Sequence, residues 1–213
     1  MGYFITLEGT EGAGKTTMAK RLCALLKAKN YDVICTREPG GTPLSEKIRS
    51  MVLDRGRDLM EQTTEALLFT AGSRQHVVEV IEPQLARGGM VISDRYFDSA
   101  LVYQGHARGL GIPQVYEMTK FASGNTMPHL TIFLDLDPEI GLSRVHKDKA
   151  REINRFDTET SSFHAKVHEG YKIVRDMFPE RFYTVDATRE FDELANHLVD
   201  YIIQRGIELK WKG

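Results

Sequence analysis

The sequence predicts an α/β protein: a parallel sheet with helices on both faces. Three observations carry that prediction. Short β-prone apolar runs alternate with stretches of helical periodicity along the chain. The run Leu130–Leu136 is apolar at consecutive positions, as a strand buried on both faces must be. The glycine-rich stretch Gly9–Thr16 falls between the first strand and the first helix, where a βα unit needs a tight turn. At 213 residues the chain suits one domain with a substantial core, and 1–213 reads as a single unit.

The elements follow in order. Tyr3–Leu7 is a β-prone run ending at the first glycine. After Thr17, Met18, Leu22, Leu25 and Leu26 recur at helical spacing. Val33–Arg37 is the second strand, closed by the turn residues Pro39-Gly40-Gly41. Thr42 caps a helix to about Leu53, with Pro43 at its first position and Glu46 nearby. Helical sequence runs from about Thr63 to Ala86; Pro83 is expected to bend or divide it, and Gly88-Gly89 to stop it. Met90–Ser93 is the third strand, and helical pieces flank Gly105–Gly111. Leu130–Leu136 is the fourth, and Pro138 opens the next helix. Residues from about Lys147 to Asp157 are polar without apolar periodicity and read as a mobile loop. A helix from about Thr160 to Phe178 precedes the fifth strand, Arg181–Val185. The last helix carries Phe191, Leu194, Leu198, Tyr201 and Ile202 on one face.

A net charge of −2 and the absence of a basic tail argue against a general nucleic-acid binder. Cys23 and Cys35 read as small buried hydrophobes in a reducing compartment, not as a disulfide or metal pair. No signal peptide or long apolar span is present, so a cytoplasmic protein without a membrane partner is expected. Gly2 matches a myristoylation pattern, but it leads directly into a strand that must be buried.

Ligands of such sheets collect outside the strand C-termini, so the loops after Leu7, Arg37, Ser93, Leu136 and Val185 matter most. The first reads Gly9-Thr10-Glu11-Gly12-Ala13-Gly14-Lys15-Thr16, the G-x-x-x-x-G-K-T pattern of a P-loop. Its glycines let successive N–H groups point inward as an anion nest, which the following helix N-terminus reinforces. Lys15 can reach nucleotide phosphates, and Thr16 can hold the Mg²⁺ that travels with them. Arg37–Thr42 suggests a binding edge, against the simpler reading of a turn with a solvated ion pair. Asp94, ending the third strand, is placed to hold Mg²⁺, and Arg95 to clamp a phosphate; a structural Asp–Arg pair is the alternative. Phe69 and Arg74 lie five apart on a helix, so they either line opposite sides of a base pocket or are a core ring and a surface cation. Ser99, Tyr103, Gln104 and Arg108 sit among glycines that permit close approach to a ligand, or simply end a helix. Arg144, Lys147, Lys149, Arg151 and Arg155 suit a cationic lid over a transferring phosphate, against a solvated charged loop.

Together these stretches resemble the bacterial thymidylate kinases over roughly residues 3–203. The resemblance rests on the P-loop, on Thr36-Arg37-Glu38-Pro39-Gly40-Gly41-Thr42, Asp94-Arg95-Tyr96, Tyr103-Gln104-Gly105, Leu134-Asp135 and Val185-Asp186-Ala187. It implies a three-layer P-loop NTPase fold with a five-stranded parallel sheet and a short lid at about 147–157. It also implies transfer of the ATP γ-phosphoryl group to dTMP for dTTP synthesis, and a homodimer formed through central helices. ATP would be held by Gly9, Glu11, Gly12, Ala13, Gly14, Lys15, Thr16 and Thr17, with Asp186 and Ala187 near adenine. Phe69 would stack on thymine, Arg74 would bond the base, and Gln104 and Ser99 would sit around its other edge. Arg49 and Arg95 would hold the dTMP phosphate, Glu11 would lie near the acceptor, and Glu38 and Pro39 would border it. Tyr103 would crowd the sugar 2′ position. No arginine stands inside the P-loop, so the chain resembles the members that supply a catalytic arginine from the lid; Arg155 and Arg151 are the candidates beside Lys15 and Arg95. His129 replaces an acid often seen there, with no functional consequence expected. Two other readings remain open at this stage: a deoxynucleoside kinase using Glu38 as base, and a P-loop switch that binds and slowly hydrolyses nucleotide.

Overall fold

The computed structural model describes residues 2–54, 60–147 and 154–211. Among the described residues, β1 (Tyr3–Glu8), β2 (Val33–Arg37), β3 (Met90–Asp94), β4 (Leu130–Asp135) and β5 (Phe182–Asp186) form one sheet. Their order is β2-β3-β1-β4-β5, and every pairing is parallel. Leu7 of the central β1 faces Asp94 on one side and Ile132 on the other. β1 and β3 are buried along their whole length, and β4 along all but its last residue, which is why they read as apolar runs rather than alternations. β1, β3, β4 and β5 each end on an acid, at the edge where such sheets collect ligands. Backbone pairing therefore extends past the last apolar side chain, so β1 and β3 run one residue beyond their apolar pattern.

One layer consists of α1 (Lys15–Ala28) and α9 (Phe191–Glu208). Leu22, Leu26, Leu194, Leu198 and Ile202 close over Ile5, Leu7, Ile92 and Ile132, all essentially inaccessible to water. The other layer covers Phe4, Val91 and Phe133 with Val77, Ile81, Phe97, Leu101, Val167 and Tyr171. Each fully buried Leu or Phe contributes about 1.5–3 kcal/mol. The expected three-layer α/β architecture is the observed one.

Local signals set the helix ends. Thr42 caps α2 (Pro43–Leu53), its hydroxyl accepting the Ser45 N–H at 3.1 Å. Thr160 caps α8 (Ser161–Met177) in the same way. The expected Thr63–Ala86 helix is α3 (Gln62–His76), a π-helical turn over Val77–Ile81 and α4 (Glu82–Ala86). Pro83 cannot donate to the carbonyl four residues back, and its ring crowds that carbonyl; the widened turn just before it relieves both. A short helix α5 (Phe97–Ala100) runs into a second π-helical stretch, Leu101–Ala107, before α6 (Ile112–Ser123) and α7 (Pro138–Lys147).

One expectation is corrected. Cys23 is buried but Cys35 is exposed, because β2 is the edge strand, a position that follows from strand order and not from local sequence; both thiols are free. His129 does structural work: its Nδ1 accepts the Phe4 N–H at 3.0 Å, joining the β4 entry to β1. The tail also has a task. Trp211 lies 5.5 Å from the rings of both Tyr3 and Tyr31 and donates its indole N–H to the Gly88 carbonyl. Among the described residues, no helix is long and apolar enough to cross a membrane.

Candidate active site

β1 delivers Gly9–Lys15 to the sheet edge. Gly14 is left-handed at the cap of α1 (φ 87°) and donates no side chain there, leaving the first N–H groups to a ligand. The loop touches α7 backbone to backbone: a Cβ on Gly12 would strike Gly141, and one on Gly141 would strike Glu11. Lys15 Nζ donates to the Thr10 carbonyl at 2.7 Å, drawing the loop around its own cation. Burial pulls the Lys15 pKa down to about 8, and the nearby Arg95 charge adds to that. The Glu11, Asp94 and Glu8 charges only partly offset this. The Thr16 hydroxyl donates to the Asp94 carboxylate, so the two residues expected to serve Mg²⁺ are in direct contact.

Arg95 follows Asp94 in a left-handed conformation (φ 66°), unusual for a residue with a Cβ, and its N–H bonds the Leu7 carbonyl at 3.0 Å. Its guanidinium donates to Glu11 at 2.7 Å, Tyr171 at 3.0 Å, Ser99 at 3.2 Å and the Gly9 carbonyl at 3.3 Å, and stands 4.9 Å from the Tyr103 ring centre. Burial opposes its charge, but Glu11 and the Tyr103, Tyr171 and Glu8 groups outweigh it and raise its pKa. The Tyr103 hydroxyl donates to Glu11 at 3.0 Å.

From the P-loop a cleft of about 950 Å³ extends towards α3. Glu11, Gly12, Gly14, Lys15, Thr16, Thr17, Glu38, Pro39, Arg49, Phe69, Asp94, Arg95, Ser99, Tyr103 and Gln104 all line it, so most of the expected site residues come together. Arg49 donates to the Pro39 carbonyl at 2.9 Å, and burial lowers its pKa. Glu38 is held from behind: His76 Nδ1 lies 2.8 Å and the Ser73 hydroxyl 3.2 Å from its carboxylate, while His76 Nε2 lies 2.6 Å from the Thr36 hydroxyl. Gly41, at φ 87°, leaves room for the buried His76 ring; a Cβ would meet it at 2.5 Å.

Other expected residues stand elsewhere. Gly9 and Ala13 lie beneath the loop, buried, and do not line the cleft. Arg74 turns from the cleft to the Ala122 carbonyl at 3.2 Å, with Glu82 at 3.8 Å. Arg155 is buried against Glu65 of α3, whose carboxylate also receives Gln104 at 2.9 Å and Arg108 at 3.4 Å. Asp186 and Ala187 form a turn outside the cleft, closed by Thr188 on Asp186, with Arg144 donating to the Ala187 carbonyl at 3.4 Å. Arg151 lies outside the described residues, as does the middle of the expected 147–157 lid. Arg37, on the suggested binding edge, lines the cleft, whereas sequence reading missed Asn154 and Phe156. It also missed Glu8 and Tyr171 behind Arg95; an acid closing an apolar strand was the available signal for Glu8.

A P-loop at the end of a central strand, opening into a cleft edged by cations, defines the class: a P-loop nucleotide phosphotransferase. Comparison with known proteins narrows this. The family model described as thymidylate kinase matches residues 7–198. A thymidylate kinase of Geobacillus thermodenitrificans is 47% identical over 204 residues, covering 96% of this chain and 91% of the relative. One of Bacillus velezensis is 49% identical over 189 residues, covering 89% of each. The crystal structure of thymidylate kinase from Ehrlichia chaffeensis superposes with a TM-score of 0.72 at 28% identity, covering 86% of this chain and 92% of that one. The chain belongs to the thymidylate kinase family.

Proposed function

We propose that the chain transfers the γ-phosphoryl group of ATP to dTMP, giving dTDP and ADP. One observation carries this reading: a single cleft runs from Lys15 and Thr16 past Arg95 and Arg49 to Phe69. Such a cleft suits two anionic ligands end to end. The acceptor is a phosphate monoester with a second pKa of about 6, so it is already ionised and needs no strong base. What the reaction needs is alignment and suppression of repulsion between anions. Lys15 would meet the ATP phosphates, Arg49 and Arg95 the acceptor phosphate, and Phe69 the thymine face. Glu38, engaged by His76 and Ser73, is poorly suited to act as the base a nucleoside hydroxyl would require.

Thymidylate kinases generally work with a divalent metal. Thr16 and Asp94 fit Mg²⁺: hard oxygen donors, two in number, suit an ion that keeps waters and rides on substrate phosphates. Bound there, Mg²⁺ would neutralise charge on the ATP oxygens. The unit would act as a homodimer: Leu44 and Met51 on α2, Leu67 on α3 and Phe121 on α6 are exposed apolar groups on helices that pack side by side, which supports that reading. Two free thiols are compatible with a reducing, cytoplasmic setting.

A coupled assay of ADP release tests the reading: dTMP is turned over and thymidine is not. Turnover of thymidine but not dTMP would sink it. Replacing Phe69 with Ala raises the KM for dTMP about 5- to 150-fold, the equivalent of about 1–3 kcal/mol per stacked base. An unchanged KM argues against stacking.

A further inference from the structure

Behind Arg95 lies a carboxylate that the reaction as described does not use. Glu8 ends β1 and is completely buried. One of its oxygens accepts the Tyr96 N–H at 2.9 Å. The other accepts the Ser99 hydroxyl at 2.6 Å and the Tyr171 hydroxyl at 2.9 Å. Those two hydroxyls also accept from Arg95 Nη1, at 3.2 and 3.0 Å, beside the Gly9 carbonyl at 3.3 Å. Each hydroxyl has one proton. Given to Glu8, it leaves lone pairs facing the guanidinium; the two hydroxyls also lie 3.0 Å apart, and a proton turned to its neighbour instead takes a lone pair from the guanidinium.

We propose that Glu8 is a positioning residue for Arg95: its buried carboxylate fixes the Ser99 and Tyr171 hydroxyls as acceptors of the guanidinium and pins the turn that carries it. The inference rests on the phosphate-binding role given to Arg95 above. The backbone half follows from the Tyr96 N–H, the next donor after the left-handed Arg95. The side-chain half is a relay, from guanidinium to two hydroxyls to carboxylate, which leaves Nη2 to Glu11 at the cleft. Burial pushes the Glu8 pKa up to about 7, with the Asp98 charge on α5 adding to the rise; Arg95 and the two hydroxyls oppose it. Lys15 on α1 and Arg181 before β5 also feel its charge. A carboxylate in this setting is held by its donors, not by solvent.

Glu8→Gln keeps the shape and breaks the logic. Whichever way the amide is turned, its NH₂ meets either the Tyr96 N–H or the two hydroxyls, so one arm is lost. kcat should fall by about 10- to 100-fold, as when a supporting partner behind a reactive group is removed, with the KM for ATP within about twofold of wild type. Tyr171→Phe keeps the ring stacked on Phe133 and deletes one relay hydroxyl; kcat should fall about 3- to 10-fold. In an Arg95→Ala background, Glu8→Gln should add no further loss, because the group it positions is gone. Wild-type kcat in both Glu8→Gln and Tyr171→Phe overturns the relay. So does a Glu8→Gln loss of equal factor with and without Arg95. An Arg95→Ala variant with wild-type kcat instead overturns the role of Arg95, a failure distinguishable from that of the relay alone.

Discussion

Replacing Arg155 with Ala will lower kcat by about 10³- to 10⁵-fold, the range for loss of an arginine that meets charge on a transferring phosphoryl group. The KM for dTMP will change little. The P-loop positions Thr10, Glu11, Gly12 and Ala13 hold no arginine, which by resemblance points to a cation supplied from the lid. Arg155 lies buried, 8% exposed, on the Glu65 carboxylate. Its Nε has no hydrogen-bond partner among the described residues, which makes this position an imperfect one to leave. Glu65 would not be stranded by the departure, since Gln104 and Arg108 still donate to it. The same fact predicts that Arg155→Ala folds normally, with a melting temperature near wild type. Steady-state kinetics and a thermal melt on one preparation check both halves. An unchanged kcat would move the role to another cation, Arg151 or the cleft-lining Arg144.

What could be read from sequence divides along a physical line. Strands buried on both faces announce themselves by composition, and the P-loop by the backbone it requires; both are local properties. Long side chains are different. The resemblance places Arg74 at the base and Arg155 at the transferring phosphate, yet each is drawn to a carboxylate or carbonyl on another helix, Arg155 to a partner 90 residues away. An arginine has the reach to choose among several acceptors, and only the fold says which are near. Cys35 makes the same point for burial, since an edge strand is an edge by virtue of sheet order. Glu8 is the instructive omission: an acid closing an apolar strand has to find donors inside the protein, and those donors point to Arg95.

Replacing Arg181 with Met will cost about 3–5 kcal/mol of stability, the penalty for removing one partner of a buried ion pair. Arg181 clamps Asp98 with both nitrogens, at 2.6 and 2.7 Å, and Asp98 is fully buried. Thr131 donates to Asp98 at 3.0 Å and its hydroxyl lies 3.0 Å from that of Thr6, so the pair knits α5 to β4 and β1. Without Arg181 the Asp98 charge loses its own partner and bears more strongly on Glu8, which it already pushes up against Arg95 and the two hydroxyls. Glu8 titrates at about 7 in the folded chain, against about 4.3 for a free glutamate. Between those values the folded state holds a proton that the unfolded state has released, so this group's contribution to stability declines as pH rises. The variant should steepen that decline: denaturant melts at pH 5 and pH 7.5 should show the larger deficit at the higher pH. Adding Asp98→Asn to Arg181→Met should recover more than half of the loss, because the cost lies in the stranded charge and not in the missing attraction. A double variant no more stable than the single one would assign the loss instead to packing of the Arg181 stem, whose guanidinium stands 4.5 Å from the Phe178 ring centre.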